Sequence, residues 1–107
     1  MRHQPAGQGE APVWIGVLTI TAETPSARSR KHKRGMIAPL VERLRTRFPF
    51  TVARVGGQEA LDHEVLVAVT VSGDPEVCRA LLQRATTFAE GMGLTLRDVR
   101  SEVERWD

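Results

Sequence analysis

The chain has no tyrosine and only five aromatic residues, two Trp and three Phe. Because modules that stack nucleic-acid bases need exposed aromatic side chains, base stacking on a sheet surface is not expected. The single cysteine, Cys78, cannot form an internal disulfide, so nothing supports an oxidising compartment. The longest apolar run, residues 13–20, is too short to cross a bilayer, and no secretory signal is recognisable. We therefore expect a cytoplasmic protein with no membrane partner.

Motifs for cofactors and metals are also missing. There is no GxGxxG loop, no Walker loop and no ribonucleoprotein aromatic signature. The three histidines lack the spacing of a metal site; they are His3, His32 and His63. We expect no cofactor and no bound metal.

Three features of the sequence are candidates for catalysis, and each has a simpler explanation. Cys78 lies beside the predicted buried face of a helix and has no partner base, so it is expected to be an apolar filler. The neighbours of His63 in Asp62-His63-Glu64 are expected to point in different directions. Residues 56–58 spell the Gly-Gly-Gln of peptide-chain release factors, but they fall in a predicted hairpin loop. We predict that the protein is not an enzyme.

Charge is distributed unevenly along the chain. Residues 28–47 carry eight basic residues and one acidic residue, a net charge of +7, whereas the remainder carries seven basic and twelve acidic residues, a net charge of −5. A concentrated basic segment indicates an anionic partner such as nucleic acid; a solvated surface without a ligand is the alternative. The candidate nucleic-acid-binding residues are Arg28, Arg30, Lys31, Lys33, Arg34, Arg43 and Arg47.

Hydrophobic periodicity predicts six elements, preceded by a polar segment at residues 1–11 that we expect to be a disordered tail. The predicted strands cover residues 12–21, 50–55, 65–72 and 94–99, the last with Val103 and Trp106 as its continuation or as a closing segment. The first helix has a cap at Ser26 or Ser29 and a buried stripe of Ile37, Leu40, Val41, Leu44 and Phe48. The second helix has an Asp74 cap, an end at Gly91 or Gly93, and a buried stripe of Val77, Leu81, Ala85, Phe88 and Met92.

This order predicts a single α+β domain over residues 12–107 with a ferredoxin-like βαββαβ arrangement. Two helices are expected to cover one face of a four-stranded, mostly antiparallel sheet. The first strand is apolar on both sides, with Val13, Ile15 and Val17 on one side, so the other sheet face is expected to be covered too. A homodimer through this open face or an edge strand is one way to cover it.

Several segments together resemble the YlxP-like (DUF503) family of uncharacterised bacterial proteins. The resemblance spans about residues 13–103. It is carried by Trp14-Ile-Gly-Val-Leu18, Ser29-Arg-Lys-His-Lys-Arg34, Leu44-Arg-Thr-Arg-Phe48, Thr51-Val-Ala-Arg-Val55 and Val69-Thr-Val-Ser72. The family run is typically Ser-Leu-Lys-Glu-Lys-Arg, so Arg30 and His32 depart from it and make this helix start more basic. Near Leu61 a tryptophan common in the family is replaced.

The resemblance implies a ferredoxin-like fold and, through the usual gene neighbourhood of the family, a role near ribosomal RNA. It brings no catalytic residue. We therefore expect a non-catalytic RNA- or ribosome-associated module that binds phosphates through its basic helix start. The alternative is a homodimeric protein-interaction scaffold that uses the open sheet face. The third hypothesis is a small enzyme that uses Cys78 or His63.

Overall fold

A computed structural model describes residues 12–106, so the tail predicted at residues 1–11 lies outside the described part of the chain. The elements are β1 Val13–Glu23, α1 Arg30–Arg47, β2 Thr51–Gly56, β3 His63–Ser72, α2 Pro75–Glu90 and β4 Thr95–Trp106. This order confirms the predicted ferredoxin-like arrangement. Within residues 12–106 neither helix combines the length and the apolar character needed to cross a membrane.

The four strands form one sheet in the order β2-β3-β1-β4, with antiparallel pairing between all neighbours. The central pair is β1 and β3, which explains why both are apolar on two sides. Of the two alternatives for Val103 and Trp106, continuation of the last strand is confirmed: the strand predicted at residues 94–99 extends to Trp106, because β4 follows β1 along its whole length and pairs Trp106 with Val13. A register shift between Thr21 and Ala22 is the irregularity in that pairing.

Both helices pack on the same side of the sheet and enclose the core. The predicted stripe of α1 is confirmed, with Phe48 half-buried at the helix end. The stripe predicted for α2 is wrong at its first position, because Val77 is 45% exposed and its neighbour Cys78 is buried. The buried positions of α2 are Cys78, Leu81, Leu82, Ala85 and Ala89.

Gly16 explains why Cys78 and not Val77 of α2 faces the core. A β-carbon at this position would lie 3.2 Å from Thr70 Cγ2 and 3.3 Å from both Cys78 Cβ and Leu82 Cδ1. The helix therefore approaches β1 closely at Gly16, and Cys78 fills the space that a side chain would need. The structure thus shows a close approach of helix and strand at this glycine.

Candidate nucleic-acid interface

The start of α1 is held by its own side chains. Ser29 is the N-cap, as predicted, and its Oγ accepts a hydrogen bond of 3.0 Å from the His32 backbone N–H. The His32 ring turns back, and its Nδ1 accepts a 3.0 Å hydrogen bond from the Arg28 backbone N–H. These two bonds fix the backbone on which the basic residues 28–34 lie, although the first turn contains no acidic residue.

Lys33 is not part of the surface. It was expected to be an exposed cation, but it is fully buried, and its Nζ lies inside the β2–β3 loop. The ammonium group donates to the backbone carbonyl oxygens of Gly57 (2.7 Å) and His63 (3.0 Å), and also to that of Ala60. With all of its hydrogens directed at protein oxygens, Lys33 has no donor left for a phosphate.

A buried carboxylate completes the surroundings of Lys33. Glu64 is fully buried, and its Oε1 lies 3.2 Å from Lys33 Nζ and 3.0 Å from an Arg54 terminal nitrogen; Arg54 Nε also donates to Oε2. Burial by itself raises the pKa of Glu64, but hydrogen bonds from Arg54 and Lys33 outweigh burial and hold the pKa below its ordinary value. The two cations thus keep one buried anion ionised.

The loop at residues 57–63 is anchored from a second side by Thr24. This buried residue donates its N–H to Asp62 O at 2.8 Å and its Oγ1 to Leu61 O at 2.7 Å. Gly57 allows the turn, since it adopts a left-handed φ of +71°. The loop that flanks the start of α1 is therefore rigidly held, with Leu61 40% exposed at its surface.

The remaining basic residues divide between two flanks of α1. Lys31 and Arg34 are exposed, and Arg45 lies about three turns further along on the same flank, next to β2. The Arg45 guanidinium donates to Val52 O at 3.1 Å, and Arg30 forms an ion pair with Glu59. At the start of α1 three exposed cations have no acidic partner within ion-pair distance among residues 12–106; they are Arg28, Lys31 and Arg34.

Arg43 and Arg47 occupy the opposite flank, which faces α2. An Arg43 guanidinium nitrogen lies 3.7 Å from Met92 Sδ, and the Arg47 guanidinium lies 5.0 Å from the ring centre of Phe88. Both side chains remain exposed. The structure therefore does not bring the seven predicted residues into one patch: four lie at the helix start, two lie on the α2 flank and one is buried.

The sheet side opposite the helices is a second surface, which we call the open face. Four of its apolar residues are more than 40% exposed: Val13, Val55, Val71 and Trp106. The register and the alternation of side chains assign it Val13, Ile15, Val17, Thr19, Thr21 and Glu23 of β1, His63, Val65, Val67, Val69 and Val71 of β3, Thr51, Ala53 and Val55 of β2, and Thr95, Asp98, Arg100, Glu102, Glu104 and Trp106 of β4. Within residues 12–106 no helix covers this face.

The groups considered for catalysis lie far apart. Cys78 is buried near Trp14 at one end of β1, and burial raises the pKa of its thiol, as does the nearby Asp74. His63 pairs with Glu23 at the other end of the same strand. Its Nδ1 does contact the neighbouring Asp62 at 2.8 Å, so the expectation that these side chains diverge is wrong. A protonated thiol distant from this pair cannot use it as a base.

The release-factor tripeptide takes part in the loop structure. Gln58 Nε2 donates to Arg54 O at 3.0 Å, and a β-carbon on Gly57 would lie 2.9 Å from the His63 ring. Both glycine and glutamine are thereby accounted for by the turn between β2 and β3.

Comparison with known proteins gives one family. Residues 15–101 match the family model described as DUF503, protein of unknown function. A comparison with the curated proteins found no match. The matched span contains α1, β2, β3 and α2 complete and most of β1 and β4, so it includes the start of α1 and most of the open face.

Proposed function

Because the chain belongs to DUF503, a family of proteins of unknown function, its role has to come from its own surfaces, and we propose that it is a non-catalytic module that binds RNA phosphates at the start of α1. The proposed contacts are Arg28, Arg30, Lys31 and Arg34. RNA is chosen because the resemblance described above implies a place near ribosomal RNA.

The observation that carries the proposal is the position of three exposed cations, Arg28, Lys31 and Arg34, which have no acidic partner among residues 12–106. Each lies at or near the positive end of the helix dipole, where a cation costs about 0.3–1 kcal/mol. An anion bound at this end would offset that cost. Phosphate oxygens carry the required charge.

The helix start also offers backbone donors. Ser29 satisfies the N–H of His32, whereas the N–H groups of Arg30 and Lys31 belong to the first turn, which has no intrahelical acceptor for them. Helix N-termini bind phosphates through such groups. Because Lys33 and Thr24 hold the adjacent loop, little ordering is needed on binding.

Salt dependence of RNA binding tests this function. Anisotropy of a labelled single-stranded oligouridylate is measured between about 50 and 200 mM salt, where each phosphate contact contributes about −0.7 to the log–log slope. The variant Arg28→Ala/Lys31→Ala/Arg34→Ala is expected to flatten the slope by about two units. Affinity for other RNA sequences should fall about equally, since phosphate contacts carry no sequence information.

A matched control removes the same charge elsewhere. The variant Arg79→Ala/Arg84→Ala/Arg97→Ala replaces three exposed arginines on α2 and β4. It should retain nearly the wild-type slope, apart from a small effect of net charge. Equal slopes for the wild type and the helix-start variant, or equal losses in the two triple variants, would refute the proposed contacts.

The open face favours a second function, a scaffold that associates with protein. The row Val65, Val67, Val69 and Val71 of β3 lies beside Val13, Ile15 and Val17 of β1, and apolar surfaces of this kind mark interfaces. Sedimentation velocity at high micromolar concentration should show a species larger than the monomer, and Val71→Asp should abolish it. Val77→Asp is the control, because Val77 is also exposed but lies on α2. A monomeric wild type would end this second proposal.

A further inference from the structure

We infer that the open face binds a second copy of this chain about a two-fold axis that runs across the strands, so that each strand lies over its own counterpart. This inference rests on the second function proposed above and adds the identity and orientation of the partner. It is carried by the size of the face, by the confinement of most of its charges to one edge, and by the charge pair that forms about the axis of greatest overlap.

The face is large enough for a specific interface. The pairing of β1 with β3 extends over ten positions, from Trp14 to Glu23. At about 3.3 Å per residue, and with four strands about 4.8 Å apart, the face covers about 500–600 Å². Two such faces bury about 1,000–1,200 Å², which is at the lower end of the range for specific complexes. An isologous dimer needs one surface that is complementary to itself.

The position of the charges selects the orientation of the axis. On the open face most charges lie on β4, at one edge, and Glu23 lies at one end of β1, whereas β2 at the other edge contributes Thr51, Ala53 and Val55. An axis parallel to the strands would lay β4 on β2 of the partner and bury its charges against apolar side chains, which is costly. An axis across the strands lays β4 on β4 and valine on valine, with the strands of aligned sheets crossing at about 30°.

Overlap of the two sheets fixes the position of the axis along the strands. Overlap is greatest when the axis passes the middle of the sheet, which is Leu18 in β1. Leu18 is paired with Ala68 of β3 and with Ser101 of β4. A two-fold axis level with Ser101 places residue 100 of one subunit opposite residue 102 of the other.

The charges on β4 are compatible with this axis. Arg100 and Glu102 lie on the open face on either side of Ser101. The axis level with Ser101 therefore sets Arg100 opposite Glu102 of the partner subunit, and the symmetry makes this pair twice. Asp98 and Glu104 also face each other across the axis, but the crossing angle separates them, and Asp98 lies 3.8 Å from its own Arg100.

A charge-exchange cycle in the full chain tests the register. Arg100→Glu sets two glutamates against each other at both symmetry-related contacts, and Glu102→Arg sets two arginines against each other. Each single variant is expected to raise the dimer dissociation constant at least about tenfold in sedimentation equilibrium. The double variant restores both pairs with reversed signs, and its dissociation constant should return to within about threefold of the wild type.

Each outcome decides the inference. Two weakened single variants with a restored double variant support it. A dimer in which the double variant is as weak as the single variants, or in which none of the three differs from the wild type, overturns this register while leaving the scaffold function standing. A wild type that stays monomeric overturns both. None of these results bears on RNA binding at the start of α1, which is on the other side of the sheet.

Discussion

Replacing Lys33 with methionine keeps most of the aliphatic side chain and removes the buried ammonium group. Glu64, which is fully buried, would then depend on Arg54 alone, and the carbonyl oxygens of Gly57, Ala60 and His63 would lose their common donor. Breaking a buried ion pair by removing one partner costs about 3–5 kcal/mol. Since small domains are stable by only about 5–15 kcal/mol, this is a large fraction of the total.

Urea denaturation followed by circular dichroism measures this loss. The midpoint of thermal unfolding should fall by about 12–40 °C in parallel, at about 4–8 °C per kcal/mol for a domain of this size. Lys31→Met is the control, because Lys31 is exposed and its loss should change the free energy of unfolding by less than about 0.5 kcal/mol. In a cycle with Glu64→Gln, the double variant should lose less than the sum of the single variants. A Lys33→Met protein within about 1 kcal/mol of the wild type would refute the reasoning.

Four further predictions concern Glu64, two glycines and the α2 flank of α1. The pKa of Glu64 is lowered in the folded state, so its ionisation stabilises the fold at pH values above the ordinary pKa of 4.5, and this contribution is lost as the pH falls below that value. Glu64→Gln should therefore flatten the acid-side decline in the free energy of unfolding measured by urea denaturation. Gly16→Ala should lower the free energy of unfolding by about 1–3 kcal/mol, because α2 has to move. The helical Gly35 has open space at its β-carbon, so Gly35→Ala should raise the same free energy by up to about 1 kcal/mol. Arg43→Ala/Arg47→Ala should change the RNA salt slope by less than half as much as the helix-start variant and lower the unfolding free energy by about 0.5–1 kcal/mol through the lost Arg47 ring contact.

Local patterns were sufficient for the order of elements. The alternation of Val65, Val67, Val69 and Val71 predicts a central strand, and Asp74 followed by proline predicts a helix start; both are confirmed. These signals depend on near neighbours in the chain and on backbone chemistry. The extent of β4 was underestimated because its charged residues obscure the alternation, and its pairing with β1 decides its length.

The buried ion pair was not predicted, because lysine and glutamate are expected at the surface by residue type even where the periodic pattern places them on a buried face. Lys33 lies four residues before Ile37 on the buried stripe of α1, and Glu64 shares the face of Leu66 on β3, so the periodicity placed both inside. Lysine and glutamate are almost never fully buried unless they are paired. Their pairing joins residues 31 positions apart, which one sequence does not reveal.

The division of the basic residues between two flanks follows from the helical period of α1 and from the elements that pack beside it. Arg34 and Arg43 are nine positions apart, about two and a half turns, and thus lie on different sides of α1. The positions of β2 and α2 decide which flank is open. The seven predicted cations all lie between residues 28 and 47, whereas in the fold they belong to three different environments.

Amide chemical shifts of the ¹⁵N-labelled full chain, recorded while the single-stranded oligouridylate is added, test the central claim most directly. Phosphate binding at the start of α1 predicts that the largest shifts occur at residues 28–34, above all at the N–H groups of Arg30 and Lys31. The open face, including Val67 and Val69, should remain unchanged. Shifts confined to the open face, or no shifts at RNA concentrations that saturate the anisotropy signal, would contradict the account.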